Sequence, residues 1–209
     1  MFSLTKTPPT QLEWRGKIYE VDFAFDNVLL FLQMQDDSEL TEFEKYQQTL
    51  KLFFHKNKNI PADPDFYIKS LETISKVINF NPYGSNIDGE RGVNATKQFD
   101  YVRDAGAIYA SFLDQYGIDL FQQKGKMHWL VFKALFDGLN SKTYFKRILS
   151  IRNEDPNKFD DPNARSELLD AQNYYAVDGS KSDDERSKDA LNSTGLSGLF
   201  GSFTQKEGG

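Results

Sequence analysis

The chain has 209 residues, a net charge of −6, 39% hydrophobic and 14% aromatic residues, and no cysteine. That length holds one ordinary domain with tails, or two small ones, and the missing thiols exclude disulfides, cysteine nucleophiles and cysteine-based zinc sites. No run approaches the eighteen apolar residues of a membrane span, and the acidic balance with scattered Lys and Arg lacks the basic stripe of a nucleic-acid binder, so neither partner is expected.

The first element is a hairpin over 12–21. Leu12-Glu13-Trp14-Arg15-Gly16-Lys17-Ile18-Tyr19-Glu20-Val21 alternates apolar and polar residues around Gly16. A lone hairpin is marginal in water, so Trp14, Ile18 and Tyr19 are expected to lie against helices.

A helix follows, with Phe25, Val28, Leu29 and Leu32 at helical spacing and Asp22 or Asp26 as its cap. The second helix opens on the capping box Thr41-Glu42-Phe43-Glu44 and turns Phe43, Tyr46 or Gln47, Leu50 and Phe53-Phe54 inward. The third starts near Pro64, which suits a first turn, and continues through Ile68, Leu71, Ile74 or Ser75, and Ile78. Pro82, Gly84, Gly89 and Gly92 mark a loop over 79–94.

Phe99, Val102, Gly106, Tyr109, Phe112-Leu113 and Tyr116 predict a central helix over 97–116, ended by Gly117. Ala105, Gly106, Ala107 and Ala110 thin it, so another helix can approach there. Met127 to Leu139 is apolar on nearly all sides and reads as a buried helix, with Trp129 and Phe132 in the core. A short helix over 144–152 turns Phe145, Ile148 and Ile151 inward.

The expected fold is therefore mainly α: a bundle of about six helices with a small N-terminal β-hairpin. Its domain covers 1–155, followed by a loosely helical extension over 156–177 and a disordered tail over 178–209 rich in Gly, Ser, Asp, Lys and Glu. Within that tail Leu196, Leu199, Phe200 and Phe203 recur at helical spacing, the weak candidates for a partner-binding peptide.

Residues for chemistry are scarce. His55 and His128 lie on different predicted elements, and a packed histidine at a helix start is the favoured reading of His128. The loop Tyr83-Gly84-Ser85-Asn86-Ile87-Asp88-Gly89-Glu90-Arg91-Gly92 matches no phosphate cradle, and its Asp88 and Glu90 would repel an anion. Carboxylate pairs such as Asp22 with Asp26, Asp36-Asp37, Asp160-Asp161 and Asp183-Asp184-Glu185 suit a solvated surface better than a metal. No catalytic residue, metal ligand or cofactor site is assigned.

The stretch Tyr109-Ala110-Ser111-Phe112-Leu113-Asp114-Gln115-Tyr116-Gly117-Ile118-Asp119-Leu120, with His128-Trp129, Phe132-Lys133-Ala134-Leu135, Gly138-Leu139 and Ile148-Leu149-Ser150-Ile151-Arg152, resembles the phage "gene product fifteen" family. The likeness runs from about residue 12 to 155 and is most specific over 109–152. It implies a protein encoded beside the tape measure gene of a long-tailed phage or prophage. Its role would be that of a tail assembly chaperone, not an enzyme, in the host cell cytoplasm. It would keep the tape measure protein soluble and would also meet the major tail tube protein or a second copy of itself. A structural tail protein retained in the virion is the alternative, and a carboxylate-dependent enzyme a more distant one.

Overall fold

The computed structural model describes residues 3–81 and 98–177. Strands β1 (Gln11–Trp14) and β2 (Lys17–Glu20) pair antiparallel, with Leu12 opposite Tyr19 and Glu13 opposite Ile18. Arg15 and Gly16 both have positive φ, 47° and 74°, as the two central residues of a tight hairpin turn of matching twist require. The left-handed Arg15 is held in place: its guanidinium lies 2.9 Å from Asp63 and 4.8 Å over the Trp14 ring. Side chains alternate across a strand, so Leu12, Trp14 and Tyr19 share the inner face. Trp14 and Tyr19 pack on Phe66. Ile18 stands with Glu13 on the outer face and is exposed, contrary to expectation, because the period of two cannot bury both Ile18 and Tyr19.

Seven α-helices follow among the described residues: α1 (Phe25–Gln35), α2 (Glu42–Phe54), α3 (Pro64–Ile78), α4 (Ala105–Tyr116), α5 (Trp129–Asp137), α6 (Tyr144–Asn153) and α7 (Pro162–Tyr175). The fold is mainly α with an N-terminal hairpin, as the periodicity predicts.

The helix starts explain themselves chemically. Thr41 closes the predicted capping box on α2: its hydroxyl accepts from the Glu44 N–H while the Glu44 carboxylate accepts from the Thr41 N–H at 2.9 Å. Bonds from the Thr41 side chain and backbone hold the Glu44 carboxyl below its ordinary range. Asp63 caps α3 ahead of Pro64, accepting from the Asp65 N–H at 2.9 Å. Gly117 ends α4 in the left-handed region, φ 66°, with its N–H on the Leu113 carbonyl. The α1 cap differs from expectation: Ala24 takes that position without a side-chain bond, and Asp22 accepts instead from the Ala24 N–H.

Three buried faces also differ from the predicted ones. In α1, Phe31 and Met34 are buried with Phe25 and Val28, while Leu29 and Leu32 are half-buried. In α2, Thr49, Phe53 and Phe54 point inward and Phe43 outward. In α3 the face is Phe66, Ser70, Ile74 and Val77, with Ile68 exposed. Ser70 belongs inside because its hydroxyl donates to the Phe66 carbonyl one turn back, at 2.8 Å.

The predicted central helix is shorter than its pattern. Residues 98–100 are not helical, 101–104 form a turn, and α4 begins at Ala105. The Gln98 carbonyl accepts from the Arg152 guanidinium at 3.1 Å.

The chain divides into two units. Among the described residues the first comprises 3–81 and 101–146. Helix α5 is its hub, packing on α1, α3 and α4. Phe132 stacks on Phe25 at 4.9 Å and Phe112 at 5.2 Å, and touches Trp129, Phe136 and Tyr101. Burial among these rings raises the Tyr101 phenol pKa, with Asp137 adding to the shift. The second unit comprises 98–100 and 147–177. Helix α7 lies where Pro162 to Tyr175 predicts it, yet buries no residue. Polar ties hold it: Arg152 Nε donates to the Tyr175 carbonyl, and Gln172 to those of Ile151 and Glu154.

Candidate interaction surface

The structure gives partners to both histidines and to Asp22, Asp26, Asp37 and Asp161. His128 caps α5: its Nδ1 accepts from the Leu130 N–H at 3.1 Å. Nε2 therefore carries the proton and donates to the Pro9 carbonyl at 3.0 Å. On either side of it the Phe25 N–H meets the Met127 carbonyl and the Trp129 N–H meets the Phe23 carbonyl. A packed histidine at a helix start is what the sequence suggests. Asp22 receives Lys56 at 2.9 Å and His55 at 3.4 Å. Asp26 accepts from the Gly125 N–H. Asp37 accepts from the Glu39 N–H, and Asp161 caps α7 by accepting from the Asn163 N–H. Among the described residues no group of three or more His, Asp and Glu side chains is placed to hold a metal ion, and no helix is long and apolar enough to cross a membrane.

Burial lowers the His128 imidazole pKa, and this outweighs the Pro9 carbonyl and Asp22, which act the other way. As pH falls through the ordinary imidazole value of 6.5, the unfolded chain takes up a proton that the folded protein resists. Stability present at neutral pH is therefore lost toward acid. Asparagine also caps helices but does not titrate. Urea midpoints of the wild type should fall further between about pH 7.5 and about pH 5.5 than those of His128→Asn. Equal falls would assign the acid sensitivity to other groups.

Exposed apolar side chains remain, and two groups of them lie on or beside helices of the first unit. The first is the rim between α2 and α3. Phe43 is 64% exposed and lies 6.3 Å from Tyr46, which meets Tyr67 edge-on at 4.4 Å. Partial burial, then Glu42 and Tyr46, raise the Tyr67 phenol pKa. Ile68 is exposed beside Tyr67 in sequence. The second is the outer face of α4 with the turn before it, where Leu113 and Val102 are 46% and 60% exposed. Phe121, 64% exposed, leans on Tyr109 at 5.1 Å, and the Lys124 amine lies over the Phe121 ring.

The sequence turns Phe43 inward and gives Ile68, Val102, Tyr109 and Leu113 only as marks of helical spacing, so neither surface is legible in it. The available signal was that two apolar arcs compete on one helix: α3 cannot bury both Phe66 and Ile68. The tail candidates Leu196, Leu199, Phe200 and Phe203, the acidic run Asp183-Asp184-Glu185 and the glycine loop 83–92 lie outside the described residues.

A family model described as Bacteriophage Gp15 protein matches residues 4–177. No curated protein matches the chain, and no solved structure does.

Proposed function

The chain belongs to the Bacteriophage Gp15 protein family, and from that premise we propose that it is a tail assembly chaperone that binds the tape measure protein and keeps it soluble until tube subunits replace it. Family membership makes it a phage structural or assembly protein. The finer reading rests on the physics of such a partner. A tape measure is a long amphipathic helix whose apolar stripe aggregates unless an apolar groove accepts it. The rim of Phe43, Tyr46 and Tyr67 offers aromatic edges to such a stripe, and the net charge of −6 keeps the complex soluble. On this reading the protein acts in the host cell cytoplasm, by binding and without catalysis.

Co-expression with the neighbouring tape measure protein tests it. The partner should be soluble beside the wild-type chain and insoluble alone. Phe43→Asp should lose that protection while remaining folded, since an acidic residue in the first turn of α2 suits the helix dipole. A partner equally insoluble with and without the chain ends the chaperone reading. Protection that survives Phe43→Asp moves the contact away from this rim.

A further inference from the structure

Phe43 and Tyr46 come from the first two turns of α2, and Tyr67 and Ile68 from the same part of α3. The half-buried Leu50 and Leu71 continue the two rows, one helical turn further on. Together they form an apolar band with carboxylates at its border. Glu42 precedes Phe43, and its side chain is 93% exposed. Its charge reaches the band: burial first, and Glu42 second, raise the Tyr67 phenol pKa. Asp65 stands three residues before Ile68, on the same side of α3, and its side chain is 71% exposed. Glu72 stands four residues after Ile68 on that side.

The nearby cations leave two of these carboxylates unmatched. The Lys45 side chain is only 13% exposed, and its amine donates to the Gln35 carbonyl at 3.0 Å, which leaves Glu42 at 3.9 Å. Arg15 lies 2.9 Å from Asp63 but 4.0 Å from Asp65. Lys69 neutralises Glu72 at 3.1 Å. Lys51 and Lys76 occupy the last turns of α2 and α3. They stand about 12 Å along the axis from Phe43 and Ile68, beyond a Debye length of about 10 Å. Glu42 and Asp65 are thus left with only long contacts, beside an exposed apolar band. Such a border complements a helix whose apolar stripe is edged by cations, because the stems of Lys and Arg lie along apolar surface while their heads reach out to charge. We propose that the α2–α3 rim selects segments of the tape measure protein in which an apolar helical stripe is flanked by Lys or Arg. This deepens the contact proposed above and rests on it.

Two synthetic peptides of about 20 residues, long enough for helix in water, test the selection. They share one apolar stripe and differ only in having Lys or Glu beside it. Fluorescence anisotropy of the labelled peptides measures their binding to the full chain. At about 50 mM NaCl the Lys peptide should bind at least about fivefold more tightly, and the ratio should fall toward parity at about 1 M NaCl. Glu42→Gln combined with Asp65→Asn should remove most of the preference, with the circular dichroism spectrum unchanged. Asp114→Asn combined with Glu167→Gln changes the net charge equally, at exposed carboxylates of α4 and α7, and should keep the preference. Equal binding of the two peptides overturns the proposal, as does binding of neither. A preference that falls equally in the two double variants overturns it as well, since net charge alone then accounts for it. A tape measure protein kept soluble by the chain, together with equal peptide binding, would sink the charge selection and leave the chaperone reading standing.

Discussion

Phe132→Ala is expected to cost about 3–5 kcal/mol of folding stability, the usual loss for deleting a ring from a packed core. Phe132 is 1% exposed and stacks on Phe25, Phe112 and Trp129, which come from three different helices. Removing its ring leaves stacked neighbours facing a void, and rigid rings fill such a space poorly. In a chain of this size that loss lowers Tm by about 10 °C. Phe132→Leu, which keeps most of the volume, should cost less than half as much. Chemical denaturation of the three proteins measures both values. A loss below about 1 kcal/mol for the alanine variant would contradict the packing of α5 on α1 and α4.

The second large effect comes from a hydroxyl. Ser111 is fully buried; its Oγ donates to the Ala107 carbonyl at 2.7 Å and accepts from the Phe145 N–H at 3.0 Å. The first N–H groups of a helix have no partner within it, and Phe145 is the second residue of α6. Ser111 thus serves as a cap delivered from another helix. Ser111→Ala removes one oxygen and should cost about 1–3 kcal/mol through that lost bond. Ser70→Ala is the matched control: Ser70 is equally buried, but its hydroxyl bonds only to the Phe66 carbonyl in its own helix. Its loss should stay below about 1 kcal/mol. Equal losses at the two sites would show that the bond to Phe145 contributes nothing of its own.

This contrast also explains what was legible in the sequence. Local chemistry read correctly: the capping box at Thr41, Pro64 in the first turn of α3, Gly117 past the end of α4 and the hairpin around Gly16 each act through neighbours in the chain. The uniformly apolar α5 read correctly because it leaves no choice of face. Where two apolar arcs compete, spacing alone chose wrongly. Phe66 and Ile68 sit two residues apart in α3, and only the hairpin packing of Trp14 and Tyr19 on Phe66 decides between them. The start of α4 at Ala105, eight residues past the predicted one, has no signal in the spacing, which runs unbroken from Phe99. His128 was recognised as a helix-start histidine, but its bond to Pro9 spans 119 positions and has no local trace. The exposed faces followed as the remainder once the buried ones were known. The Gp15 likeness came from side-chain order over 109–152, which requires no knowledge of packing.

The bridge between Phe23–Phe25 and Met127–Trp129 sets a schedule for synthesis. The first helix cannot bury Phe25 or Val28 until α5 has been made, roughly a hundred positions later. At a ribosomal rate of about 5–20 residues per second, that interval lasts about 5–20 s. Through it the nascent N-terminal half displays Phe23 and Phe25 without the cover that His128 and Phe132 give them. The expected outcome is that the yield of folded protein responds to the supply of host chaperones that hold nascent apolar segments.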